Sequence, residues 1–173
     1  MDEQHRYEGP QPEAYGRITY PERYLVVHEA AAGLMDVLEE TFVVRRSEPD
    51  PAPDLVTRCR AFRAIRLDPE DPDAGTLLCT FTSFPGVILA LGGGFEQPFP
   101  WCGCDACDEA PENVVRDLVR TTELFVQGGL VEGFKGNKYS CRIGGHSGTT
   151  VLADEDPRRR LPKRRSWKAW TKR

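Results

Sequence analysis

Leu77-Leu-Cys-Thr-Phe-Thr-Ser-Phe-Pro-Gly-Val-Ile-Leu-Ala-Leu91 is the stretch on which the fold turns. Leu77, Cys79 and Phe81 alternate with Leu78, Thr80 and Thr82, the period of two that marks a strand. Pro85-Gly86 is a tight-turn pair, and Val87–Leu91 beyond it is a second apolar strand. The two runs predict an antiparallel hairpin.

Upstream, Arg60–Leu67 reads as a further strand with imperfect alternation, and Phe42–Ser47 as a short one. Between them Glu48-Pro-Asp-Pro-Ala-Pro-Asp54 is an acidic loop that its prolines keep irregular. Pro21 opens a helix whose apolar stripe is Val27, Ala30, Ala31, Leu34, Leu38 and Phe42, at helical spacing. Residues 1–20, with Gly9, Pro10, Pro12 and Gly16, read as an extended arm. Downstream, Gly92–Gly94 ends the hairpin and leads into a cysteine-rich loop. Pro111 opens a second helix with Val115, Leu118, Val119, Thr122, Phe125 and Val126 on one stripe, and Gly128-Gly129 stops it. Leu130–Phe134, Tyr139–Ile143 and Thr149–Leu152 complete the strands, joined by Gly-Asn and Gly-Gly turns. No internal repeat is evident. The predicted class is α+β, two helices packed on one face of an antiparallel sheet, with the cysteine loop before the second helix. The expected divisions are an arm over 1–20, one α+β domain over 21–156 and a tail over 157–173.

A chain of 173 residues, 39 % hydrophobic and 29 % charged, fits one globular domain with a real core. No apolar run approaches the roughly 20 residues of a membrane-spanning helix, so no membrane partner is expected. The polar, acidic start is unlike a signal peptide, which leads to the expectation of a cytoplasmic protein with reduced thiols. The net charge of −4 hides an asymmetry: residues 157–173 hold nine basic residues and no acid, leaving 14 basic and 27 acidic residues in the body.

Trp101-Cys-Gly-Cys-Asp-Ala-Cys-Asp-Glu109 carries the chemistry. Cys102, Cys104 and Cys107 at Cys-x-Cys and Cys-x-x-Cys spacing can turn toward one point, as a tetrahedral metal requires. Zinc is the expected cofactor for three thiolates, and iron accepts the same ligands. Asp105, Asp108 and Glu109 add negative charge that favours a cation and disfavours bare thiolates. A helix N-terminus just beyond would ease thiolate formation. The fourth position is open to Cys141, His146, Asp108, Glu109 or water. The rival readings are a turn of structural thiols and a redox pair at Cys104 and Cys107. Cys59 and Cys79 fit core thiols, and His28 a hydrogen-bonded interfacial histidine. Cys141 and His146 have no third group to orient them as nucleophile and base. Gly92–Gly94 lack the Gly-Lys-Ser/Thr ending of a phosphate loop. No catalytic residue is assigned.

The tail offers two readings. Arg158, Arg159, Arg160, Lys163, Arg164 and Arg165 could meet nucleic acid, with Trp167 and Trp170 stacking on bases. Alternatively the tryptophans dock into the body and the bases pair with its acids. Docking is favoured because tryptophan is costly to expose and the body is acidic.

Four blocks carry a resemblance: Ala14-Tyr-Gly-Arg-Ile-Thr-Tyr-Pro-Glu-Arg-Tyr24, Phe81-Thr-Ser-Phe-Pro-Gly-Val87, Phe99-Pro-Trp-Cys-Gly-Cys-Asp-Ala-Cys-Asp-Glu109 and Trp167-Lys-Ala-Trp170. The chain resembles a family of small uncharacterised actinobacterial proteins, a domain of unknown function. The resemblance implies that the cysteine segment and terminal tryptophans belong to a shared scaffold, and it implies no activity. Residues 135–150 depart from the pattern, which places a fourth ligand there in doubt. The residues predict a zinc-stabilised, non-enzymatic interaction or regulatory protein with a protein partner. The alternatives are a metal- or thiol-dependent enzyme using the cysteines, and nucleic-acid binding through the tail.

Overall fold

The computed structural model describes residues 10–51 and 59–173. The first part of the arm and residues 52–54 of the acidic loop lie outside the described residues. The predicted hairpin is present: β3 (Leu77–Thr82) and β4 (Gly86–Leu91) run antiparallel with Leu77 opposite Leu91 and Thr82 opposite Gly86. β2 (Ala61–Pro69) pairs with β3, and β1 (Val44–Ser47) with β2. The glycine triplet differs from its expected role. It turns the chain into β5 (Phe95–Phe99), which pairs along β4. Pro98 disguised this strand, because a proline fits a sheet at an edge, and β5 is the edge of the order β1-β2-β3-β4-β5.

A 3₁₀ turn at Pro21–Tyr24 leads into α1 (Leu25–Thr41). The buried stripe of α1 is Val27, Ala31, Met35 and Leu38. It is rotated from the expected stripe, since Ala30 and Leu34 lie at its half-buried margin and Met35 at its centre. α1 packs over Ile65, Leu67, Leu77, Cys79 and Leu89 of the first sheet, all fully buried. α2 (Pro111–Val126) buries Val114, Leu118, Thr122 and Phe125 and packs beside α1.

The structure is α+β, with its strands divided between two antiparallel sheets. The second sheet holds β6 (Leu130–Lys135), β7 (Lys138–Ile143), β8 (His146–Val151) and β9 (Arg165–Ser166), in the order β8-β7-β6-β9. β9 comes from the basic tail and pairs Val131 with Ser166. Beyond it Trp167 and Trp170 enter the core, and Phe42 bridges to Lys172 at the end of α1. One cluster of buried side chains joins both helices, both sheets and these tryptophans. No described helix is long and apolar enough to cross a membrane.

Candidate metal centre

The cysteine loop leaves β5 through a cis Phe99–Pro100 bond and reaches α2 at Pro111. Gly103 sits at φ 75°, and a Cβ there would lie 2.6 Å from the Phe84 ring, so this turn needs glycine. Cys104 then closes a tight turn, its carbonyl accepting from the Cys107 and Asp108 N–H groups at 3.1 Å. Through these turns the Sγ atoms of Cys102, Cys104 and Cys107 come within 4.8 Å of one another. The Cys102 and Cys104 sulfurs are 3.2 Å apart. Thiolates around a tetrahedral zinc, at about 2.3 Å each, would be about 3.8 Å apart. The observed spacing brackets that value, and the three residues can hold a metal ion. Cys104 is buried, whereas Cys102 and Cys107 are exposed.

The carboxylates of the loop are braces. Asp105 accepts from the Thr19 N–H and hydroxyl, both at 2.7 Å, and from Arg17 Nε at 2.8 Å. Asp108, itself at φ 41°, accepts from Arg23 Nη1 at 2.9 Å. Glu109 turns back to accept the Trp101 and Cys102 N–H groups, and its carbonyl accepts from the Tyr24 hydroxyl at 2.9 Å. The arm adds backbone bonds: Asp105 N–H to the Arg17 carbonyl and Ala106 N–H to the Ala14 carbonyl. The arm and the start of α1 therefore clamp the loop, and the three acids expected beside a cation are occupied in doing so.

The Thr19 hydroxyl, with Arg17 and the Thr19 N–H, holds the Asp105 carboxyl down at about 2. A folded value below the unfolded one, about 3.9, gives stability that is complete above the unfolded value and lost as the pH falls toward the folded one. Asp105→Asn is therefore expected to lower the melting temperature at neutral pH. The gap to the parent should narrow as the pH falls from about 4 toward about 2. Paired melting curves across that range check this.

The fold treats the thiols of Cys104 and Cys107 oppositely. Cys104 is lowered to about 6, first by a hydrogen bond from the Cys102 thiol and then by the Cys107 and Gly16 N–H groups. Cys107 is pushed up to about 12, because its thiol donates to the Cys104 and Cys102 sulfurs. The N–H donors come from the loop and the arm, while α2 begins beyond Cys107. The fold stabilises a thiolate at Cys104, and because a metal takes thiolates as ligands, binding one here would release protons.

Among the described residues no fourth His, Cys, Asp or Glu joins the group. Cys141 sits on β7 with its thiol 3.9 Å from the Gly148 carbonyl, and His146 is exposed at the start of β8. His28 accepts the Gly86 N–H at Nε2, 3.0 Å away, as an interfacial histidine does. Cys79 is fully buried, which pushes its thiol up to about 12, and Cys59 is half-buried. Cys59 belongs instead to a cavity of about 230 Å³ that it lines with Phe84, Ile88, Pro98, Trp101, Cys102 and Cys104 among others. Trp101 stands on its rim, 70 % exposed. No local pattern announces this cavity, because part of its wall is Pro98 and Phe99 of β5, a strand without apolar alternation. A family of unknown function matches residues 2–173, whereas no curated protein and no solved structure matches the chain.

Proposed function

The chain belongs to DUF6226, a family of unknown function, and from that premise we propose that it is a zinc-stabilised interaction protein whose metal stiffens a display loop. Cys102, Cys104 and Cys107 are the zinc ligands, with a fourth position left for water or an incoming side chain. The observation that carries this reading is the meeting of three thiols within 4.8 Å on a loop whose carboxylates are otherwise committed. Zinc suits three thiolates and no redox step. A reducing, cytoplasmic setting is part of the proposal, since thiols this close would otherwise oxidise.

A non-enzymatic role is supported by the cavity beside the cluster. Among its described lining residues there is no carboxylate, histidine or lysine, so apart from the cysteine thiols a zinc-bound water would find no general acid or base there. The lining is instead apolar, with an exposed tryptophan on the rim, the composition of an anchor point for a protein partner. A second reading, a metal- or thiol-dependent enzyme, is favoured by the Cys104 thiolate, lowered to about 6.

Stripping the metal with a chelator separates the two. A structural site predicts a fall in melting temperature of about 10 °C, the effect of losing a ligand held about a thousandfold below its free concentration. Faster amide exchange over residues 101–109 should accompany it. Loss of metal with the melting temperature and exchange unchanged would contradict the structural role and favour the enzyme.

A further inference from the structure

The outer face of the second sheet is basic and carries no acid. Register places Val131, Arg142 and Ser147 in one cross-strand row and Gly133, Ser140 and Thr149 in the next. Lys135, Lys138 and Val151 follow. Alternation turns these side chains to one face, opposite Glu132, Tyr139 and Ile143, which are buried. The tail runs along the β6 edge of this sheet and folds over Gly133. Phe134 N–H bonds to the Pro162 carbonyl at 3.2 Å, and Gly133 lies so close under the Lys163 carbonyl that a Cβ would collide with it. Strands and tail enclose a groove of about 380 Å³ in which Arg142, Lys163 and Arg164 meet Ser140, Ser147 and Thr149.

The tail divides its bases between two tasks. Arg158 pairs with Asp156, Arg159 with Asp154, Arg165 with Asp73, and Lys168 with Asp71 and Asp73. Among the described residues, Arg142, Lys163 and Arg164 form no ion pair and no side-chain hydrogen bond. Glu132 also borders the groove, but its oxygens face the other side and accept from Gly93, Trp167 and Tyr139. Three uncompensated cations around one groove repel one another, and an anion relieves that repulsion. Guanidinium forks and hydroxyls supply directed donors to tetrahedral oxygens.

We infer that this groove, formed by Arg142, Lys163, Arg164, Ser140, Ser147 and Thr149, binds a compact phosphate group, free or on a small phosphorylated molecule. A single-stranded nucleic acid fits less well. The three rows contain no aromatic side chain for base stacking, and the ion pairs of Arg158, Arg159 and Arg165 interrupt a basic track.

The test titrates inorganic phosphate, glycerol 3-phosphate and a short oligouridine into the full ¹⁵N-labelled chain in phosphate-free buffer, following amide shifts. The expected result is saturable shifts at Gly133, Ser140, Arg142, Gly148 and Thr149 with a phosphate probe. A variant combining Arg142→Ser, Lys163→Ser and Arg164→Ser should bind at least tenfold more weakly, with Leu130 and Ile143 amides unmoved as a control for folding. Tighter binding of glycerol 3-phosphate supports a phosphorylated small molecule, and equal or tighter binding of inorganic phosphate supports the free ion. No saturable shift, the same shifts from sodium chloride at equal ionic strength, or undiminished affinity in the variant would overturn the site. Preferential oligouridine binding spreading to Lys135, Lys138 and Arg160 would overturn it in favour of a nucleic-acid face.

Discussion

Replacing Glu132 with leucine is expected to cost about 4 kcal/mol, enough to lower the melting temperature by about 10 °C. Glu132 is 2 % exposed and has no basic partner at hydrogen-bond distance among the described residues. Its carboxylate is held by three donors: the Gly93 N–H at 2.6 Å, the Trp167 indole N–H at 2.7 Å and the Tyr139 hydroxyl at 2.6 Å. These come from the turn between β4 and β5, the tail and β7, so one side chain fastens the first sheet, the second sheet and the tail. Leucine fills the space but leaves three buried donors unpaired, each costing about 1–3 kcal/mol. Glu132→Gln should be much milder, about 1–2 kcal/mol. Its oxygen still accepts from Gly93 and Trp167, and its amide can donate to Tyr139 if that hydroxyl turns. Urea melts of both variants check the order, and equal losses would show that volume, not hydrogen bonding, sets the cost.

Trp170→Ala is expected to cost about 3–5 kcal/mol, the usual penalty for emptying a buried aromatic site. Its ring meets Phe42 and Phe125 edge to face, with centroids 5.7 and 5.9 Å away, tying the end of α1 to α2. Its indole N–H donates to the Ala74 and Gly75 carbonyls at 3.0 and 3.1 Å. The same change at Trp101, 70 % exposed, should alter stability by no more than about 0.5 kcal/mol. Thermal melts of the two variants measure the contrast. A comparable loss at both positions would mean that Trp101 is also structural and would weaken its assignment as a partner contact.

Local patterns made most of the elements legible. Alternation in Leu77–Leu91 gave the hairpin, and paired stripes gave both helices, because burial on one face forces a period on the sequence. β5 and β9 were hidden for a different reason. Glu96-Gln-Pro98 and Arg165-Ser166 have no apolar alternation and are strands only because β4 and β6 offer them an edge. The division into two sheets follows from those pairings, so it was hidden as well. At the candidate site the spacing of Cys102, Cys104 and Cys107 predicted that they can converge, and they do. The work of the neighbouring acids was not predictable. Asp105 reaches Thr19 across 86 residues, and no local pattern announces such a pair. The outer groove is not legible in sequence because the tail's bases are alike there and differ only in their partners after folding. Whether each is paired depends on where Asp71, Asp73, Asp154 and Asp156 lie after folding.

The most direct measurement is the metal content of the untagged, full-length chain purified without chelator, by elemental analysis. The same measurement is made on a variant in which Cys102, Cys104 and Cys107 are all serine. A zinc-stabilised loop predicts about one zinc per chain in the parent and none in the variant, which should also melt lower. Absence of metal from the parent with its thiols free, or zinc retained by the variant, would contradict the assignment of these three cysteines as the metal centre.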